Sequence, residues 1–222
     1  MGSVAGGRLA AAVSDAGALG LVGGGYGNPG WMRDELSIVR SETTRPWGVG
    51  LITWHASQEI VELALSYEPY AFMMSFGDPR PFVPAIKEAG YTLICQVQDV
   101  EDARVAKAAG ADIIVAQGTE AGGHGANRST LPLVPAVVDA VVPTPVLAAG
   151  GIVDGRGLAA ALMLGAQGAL MGPLLRSHRS SGPPKGLGAY RGRQGWRHSE
   201  NAGFRRGAPA CVASALHRTR HT

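Results

Sequence analysis

The stretch VEDARVAKAAGADIIVAQGTEAGGHGANR, Val100 to Arg128, contains one complete unit of the fold. Asp99 just before it is a residue type that caps helix N-termini. The run VEDARVAKAAG reads as an amphipathic helix that stops at Gly110, where glycine tolerates a left-handed end. Asp112–Ala116 then reads as a strand, with Ile113 and Ile114 adjacent and apolar, so both faces are expected to be buried. Past it the chain turns polar and glycine-rich and sets one titratable ring, His124, between Gly123 and Gly125.

The same alternation repeats on both sides. Candidate strands are Leu19–Val22, Gly48–Ile52, Ala71–Ser75, Thr92–Val97, Pro145–Ala149 and Ala169–Met171. Helix-like segments separate them: GGRLAAAVSDAG, PGWMRDELSIVRSE, SQEIVELALSYE, PRPFVPAIKEAG, LPLVPAVVDAV and DGRGLAAALMLGA. Gly17, Gly90 and Gly165 end three of them, and Ser57 is a second candidate N-cap. Strands alternating with helices at this spacing imply a parallel sheet with helical crossovers. A doubly wound open sheet and a closed (β/α)8 barrel both satisfy that pattern. Seven strands with a helix between each pair, and a helix opening the chain with no strand before it, favour a barrel lacking its first strand.

The net charge of +3 hides a division. Residues 1–175 carry ten Lys and Arg against sixteen Asp and Glu, whereas residues 176–222 carry ten against the single Glu200. The first part is expected to be an incomplete barrel. The second, rich in Gly, Pro, Ser and Arg, is expected to be poorly ordered, because it lacks apolar periodicity to offset chain entropy. Trp196 and Tyr190 within this basic tail give it the composition of a nucleic-acid binder; an out-of-frame C-terminus replacing the last barrel helix is the plainer reading. No apolar run reaches the ~18 residues of a membrane span, and no leader precedes the first helix, so a cytoplasmic location is expected. Cys95 and Cys211 lack metal-ligand spacing, and Cys95 reads as a buried thiol.

In a parallel barrel the functional loops follow the strands. Three such loops are glycine-rich: LVGGGYGNPG, VAQGTEAGGHGANR and LAAGGIVDGRG. Glycine clusters expose main-chain N–H groups to an anion. Barrel phosphate sites lie at the ends of the last two strands, which here are Gly150–Gly151 and Gly172.

AQGTEAGGHGA, AAGGIVDGRGLAAALMLGAQGALMG and MGSVAGGRLAAAVSDAGALGLVGGG together resemble the nitronate monooxygenases, over Met1 to about Gly172. That resemblance implies an FMN-dependent (β/α)8 TIM-type barrel that oxidises alkyl nitronates with O2 to a carbonyl compound and nitrite. It implies His124 as the active-site histidine, donating to the nitronate or taking the α-proton of a neutral nitroalkane. It implies that Gln117 hydrogen-bonds the flavin, with Gly122 and Gly123 leaving room for it. Gly150 and Gly151 would offer N–H groups to the FMN phosphate, with Met171 and Gly172 on the neighbouring strand. Met1 and Gly2 would end the family's first strand beside the flavin ring. No metal is implied.

The chain departs from the family in three further places. Pro173 stands where members usually have threonine, Gly50 where many have asparagine, and the last helix is replaced. The flavin-dependent enoyl-acyl-carrier-protein reductases share the histidine loop and are the alternative; a truncated, inactive remnant is another. Among secondary candidates, His55 is expected at the surface or lining the pocket, and Glu120 orients His124 or its loop. Asp154 is expected to cap the helix that follows it, and Asp78 to face the pocket or cap the next helix.

Overall fold

A computed structural model of the chain describes residues 5–125 and 127–172. Helix α1 (Gly7–Asp15) leads into β1 (Gly20–Gly23), followed by α2 (Pro29–Glu42), β2 (Trp47–Ile52), a 3-10 turn over Thr53–His55 and α3 (Gln58–Leu65). Then come β3 (Ala71–Ser75), α4 (Val83–Glu88), β4 (Thr92–Val97), α5 (Val100–Ala108) and β5 (Ile113–Gln117). The described part closes with α6 (Thr130–Val141), β6 (Val146–Ala149), α7 (Gly155–Met163) and β7 (Gly168–Leu170).

All strand pairs are parallel, and spatial order follows chain order from β1 to β7. A doubly wound sheet reverses its order at a switch point; this one does not. The architecture is therefore the (β/α)8 TIM-type barrel expected, with seven of its strands in place. Among the described residues β1 pairs with β2 alone and β7 with β6 alone. On the free side of β1, the carbonyl of Ala5 accepts a hydrogen bond from Gly23 N–H.

Side chains alternate across the sheet and build two apolar layers. Ala71, Met73, Ile94, Ile113, Val115, Leu147 and Ala149 fill the barrel interior. Val22, Val49, Leu51, Phe72, Met74, Leu93, Ile114 and Ala148 face outward and pack with Met32, Leu36, Ile60, Ile86, Leu133 and Val137 of the helices. Two buried faces explain why the strands read as continuous apolar runs. Helix α1 lies so close to β1 that a Cβ on Gly20 would come within 1.9 Å of the Ala10 carbonyl oxygen. Glycine there is a packing requirement.

The capping residues stand where the sequence places them. Ser57 accepts from Ile60 N–H, Asp99 from Asp102 N–H, and Asp154 from the N–H groups of Arg156 and Gly157. Gly17, Gly90, Gly110 and Gly165 all take positive φ, between 79° and 96°. Two expectations are corrected. The segment PRPFVPAIKEAG is helical only over Val83–Glu88, because each proline disfavours helical geometry in the residue before it, and Pro84 fits where it falls, in the first turn. Asp78 does not cap that helix; it holds Arg80 through the main-chain N–H and the guanidinium, and the cap position is Phe82. That ion pair keeps the Asp78 carboxyl below its ordinary value. Pro173, Cys211 and the whole tail, 176–222, lie outside the described residues.

Candidate functional site

The inward-facing positions turn polar at the C-terminal ends of the central strands. Ser75 ends β3, Gln96 lies near the end of β4, and Gln117 ends β5. Gln98, two residues beyond Gln96, falls on the same face of the extended chain. Gln117 Oε1 accepts from Gln96 Nε2 at 2.5 Å and from Gln98 Nε2 at 3.2 Å. With its oxygen so engaged, the Gln117 amide turns its Nε2 toward the histidine loop, where the Gly122 and His124 carbonyls are 3.5 Å away. A much shorter bond, 2.7 Å, runs from Gln98 Nε2 to the His124 carbonyl.

The start of the histidine loop is clamped against the end of β6. Gly118 N–H donates to the Ala149 carbonyl, and Ala121 N–H to that of Gly118. Glu120 accepts from Thr130 N–H and from Thr130 Oγ1, both at 2.8 Å. Ser129, at the cap position of α6, makes no side-chain capping bond, so a carboxylate from a neighbouring loop serves an N-terminal amide of that helix. Burial pushes the Glu120 carboxyl up, but the hydrogen bonds from Thr130 outweigh it and hold it below the ordinary value. Of the two roles expected for Glu120, the structure shows the one on the loop and helix backbone; His124 is not its partner.

The Gly150–Gly151 turn sits on this clamp, with φ of +116° and +69°. A Cβ on Gly150 would lie 2.6 Å from Thr130 Oγ1 and 3.0 Å from Ala121 N. Glycine at 150 is thus required by the protein's own packing. Among the described residues the N–H groups of Gly150, Gly151 and Gly172 donate no hydrogen bond. Around Gly122, Gly123, Gly125 and Gly172 the space is open, with no described atom within 4 Å of a Cβ.

The tip of the loop crosses the mouth of the barrel. The His124 ring meets Trp54 edge-on at 5.0 Å, Phe76 at 5.4 Å and Tyr26 at 6.5 Å. These rings come from the loops after β2, β3 and β1. Phe76 holds a left-handed backbone, φ +61°, which is uncommon outside glycine and concentrates at functional sites. His55 stacks edge-on with Tyr26 at 5.1 Å and is exposed at the rim, one ring removed from His124. Two buried hydroxyls at the same end, Thr53 Oγ1 and Ser75 Oγ, have no hydrogen-bond partner among the described residues. Such orphans are rare in native proteins and cost about 1–3 kcal/mol each.

Two cavities are present, one lined in part by the site's own Phe76, Gln96 and Gln98 and one remote from it. One of about 320 Å³ sits between the loops after β3 and β4 and helix α5, with Cys95 in its wall. Burial pushes that thiol up to about 12, and Asp112 adds to the effect. The larger, about 630 Å³, opens at the opposite end of the strands among Arg45, Tyr70, Lys87 and Asp112. It shares no residue with the glycine loops. Among the described residues no cluster of three or more His, Cys, Asp or Glu is placed to hold a metal, and no helix is long and apolar enough to cross a membrane.

The nitronate monooxygenase family model matches residues 1–60 and 52–181, well over half the chain. The chain belongs to the nitronate monooxygenase family. A probable nitronate monooxygenase of Staphylococcus aureus strain N315 is 33% identical over 221 residues, covering 78% of this chain and 62% of the relative. The (3aS,4S,5R,7aS)-5-hydroxy-7a-methyl-1-oxo-octahydro-1H-indene-4-carboxyl-CoA dehydrogenase of Mycobacterium tuberculosis (strain ATCC 25618 / H37Rv) is 38% identical over 175 residues. That alignment covers 78% of this chain and 49% of the relative. Among solved structures, FabK from Thermotoga maritima superposes with a TM-score of 0.72 at 38% identity, over 76% of this chain and 54% of that one. The chain thus spans between about half and two thirds of the length of these proteins.

Of the residues singled out through the family, Gln117, Gly122, Gly123, His124, Gly150 and Gly151 come together at one end of the barrel. Met171 and Gly172 lie just past β7, which ends one residue earlier than expected. Met1 and Gly2 lie outside the described residues. The strand-end turn SFGDP, Ser75–Pro79, was legible as facing the mouth, whereas the roles of Gln96, Gln98 and Thr53 and the ring contacts of Trp54 and Tyr26 with His124 were not. The period-two run Ile94, Gln96, Gln98 was the available signal for the two glutamines: interior positions that change from apolar to amide at the strand end.

Proposed function

We propose that this chain provides the flavin site of an oxidoreductase that uses FMN and O2 to convert an alkyl nitronate to a carbonyl compound and nitrite. The observation that carries the reading is the gathering of free main-chain donors at Gly150–Gly151, the oriented amide of Gln117 and the ring of His124 at one barrel mouth. The donor set fits a phosphorylated, heterocyclic cofactor. Successive N–H groups without acceptors suit a phosphate dianion. The Thr53 and Ser75 hydroxyls, without partners among the described residues, and the weakly engaged Gln117 Nε2 are buried polar groups at this end of the barrel that a cofactor could engage. FMN, when bound, supplies the electron acceptor and the reaction with O2.

The protein's own part is charge and proton management. A nitronate spreads its negative charge over two oxygens. A ring N–H of His124 can donate to one of them, and a neutral ring nitrogen can instead take the proton from the carbon of a nitroalkane. Trp54, Phe76 and Tyr26 pack edge-on around the ring while the imidazole itself stays exposed to an incoming anion. The proposal includes a cytoplasmic location and small-molecule partners.

A second reading, the flavin-dependent enoyl-acyl-carrier-protein reductase, draws support from the similarity to FabK, whose identity exceeds that of the staphylococcal relative. One purified sample separates the two. Bound flavin absorbance, O2 uptake and nitrite release with an alkyl nitronate are expected. NAD(P)H oxidation driven by an enoyl thioester, without nitrite from nitronates, overturns the nitronate reading in favour of the reductase. Absence of any flavin overturns both.

A further inference from the structure

We infer that Gln98 is a positioning residue for His124, acting through the main chain of the histidine loop. This rests on His124 being the working side chain, as proposed above. The imidazole has no hydrogen bond of its own among the described residues; its contacts are the rings of Tyr26, Trp54 and Phe76. Nor do the flanking glycines contribute, since Gly122, Gly123 and Gly125 face open space and Gly123 has φ +98°. A loop so poor in side chains must be fixed through its main chain.

Past the clamp at Gly118–Ala121, two side chains reach it there. Gln117 Nε2 approaches the Gly122 and His124 carbonyls at 3.5 Å, the limit of a hydrogen bond. Gln98 Nε2 donates to the His124 carbonyl at 2.7 Å, and the same nitrogen is 3.2 Å from Gln117 Oε1. Gln98 is half-buried and follows β4, so its Cα is set by the strand register Gln96↔Val115 and Val97↔Ala116. A donor anchored on the sheet thus holds the one carbonyl attached to the histidine's own Cα. The required chemistry is a donor of this length: a carboxamide or an ammonium satisfies it, and an aliphatic side chain of similar size does not.

The test uses the chain as purified and reads the loop before any turnover. Histidines are isotopically labelled, the His124 signal is assigned by its loss in His124→Gln, and amide hydrogen exchange is followed for peptides covering residues 118–125. In the parent chain the His124 ring protons are expected to be displaced from the solvent-exposed position by the ring currents of Trp54, Phe76 and Tyr26. Gln98→Leu should return them toward that position and speed loop exchange about fivefold to tenfold, the scale of one net hydrogen bond, with the melting temperature unchanged. Gln98→Lys, which keeps a donor, should retain both the shift and the protection. In flavin-loaded enzyme, Gln98→Leu should lower kcat with little change in FMN affinity. An unchanged His124 signal in Gln98→Leu, or a Gln98→Lys variant as loose as the leucine, overturns the inference. A preparation that binds no flavin leaves these spectra interpretable and counts against the proposed function instead.

Discussion

Replacing Gly150 with alanine should damage the fold by a mechanism that can be dissected. The new Cβ would lie 2.6 Å from Thr130 Oγ1, 3.0 Å from Ala121 N and 3.2 Å from the Gly118 carbonyl oxygen. The last two neighbours are backbone and cannot rotate away. Overpacking of this kind costs about 1–3 kcal/mol. The backbone also sits at φ +116°, outside the regions open to L side chains, and strain of that sort costs about 1–3 kcal/mol more. The sum, about 2–6 kcal/mol, is a large share of a typical domain stability of about 5–15 kcal/mol. Urea denaturation followed by far-UV circular dichroism measures it. Thr130→Ala alone should cost about 1 kcal/mol, through its lost hydrogen bond to Glu120. Combined with Gly150→Ala it should relieve the hydroxyl clash and leave the strain, so the pair should be less destabilised than the two changes added. A Gly150→Ala effect below about 0.5 kcal/mol, or strict additivity with Thr130→Ala, would refute this account of the clamp.

The other predictions concern the mouth. His124→Gln should lower kcat/KM for a nitronate by about 10²–10⁴-fold, the usual worth of a positioned acid–base group, while flavin absorbance and melting temperature hold. Ser75→Ala should leave the flavin-free protein as stable or up to about 1 kcal/mol more so, since it removes a buried hydroxyl without a partner, and should weaken flavin retention on gel filtration. Glu120→Gln should lower the melting temperature slightly at neutral pH. The Glu120 carboxyl is held below its ordinary 4.5, so its contribution is present above that value and is lost as pH falls through the lower folded one. Melting curves of the two proteins should therefore converge in acid.

The barrel was legible because its evidence is local. Four helices stop at a glycine, Ser57, Asp99 and Asp154 each cap the helix that begins at the next residue, and strands buried on both faces are continuous in Val, Ile and Leu. β3 and β4 fall on the expected residues, and β7 misses by one. The site was legible only where glycine or a family motif marked it. Gln96 and Gln98 gain their meaning from the register of β4 against β5, which no single segment contains. Trp54 and Phe76 read as ordinary apolar residues at strand ends until the fold turns them toward His124. Glu120 lies four residues from His124 in the chain yet binds Thr130, because the loop folds back toward α6 rather than forward. Proline spoiled the expected start of α4 for a reason visible in the sequence but easily outvoted by its apolar spacing.

The crossing of the barrel mouth by residues 118–125 has a consequence for how function can be acquired. One wall of the cage comes from the first three strands and its occupant from the fifth, with the fourth supplying the tether between them. No shorter stretch of the described chain brings together all the parts, so a nicked or half-assembled barrel holding only β1 to β3 has the rings but nothing to enclose. The ring contacts of His124 thus report on the correct alignment of five neighbouring strands, and a ring-current shift at that histidine certifies the alignment more stringently than helical content does.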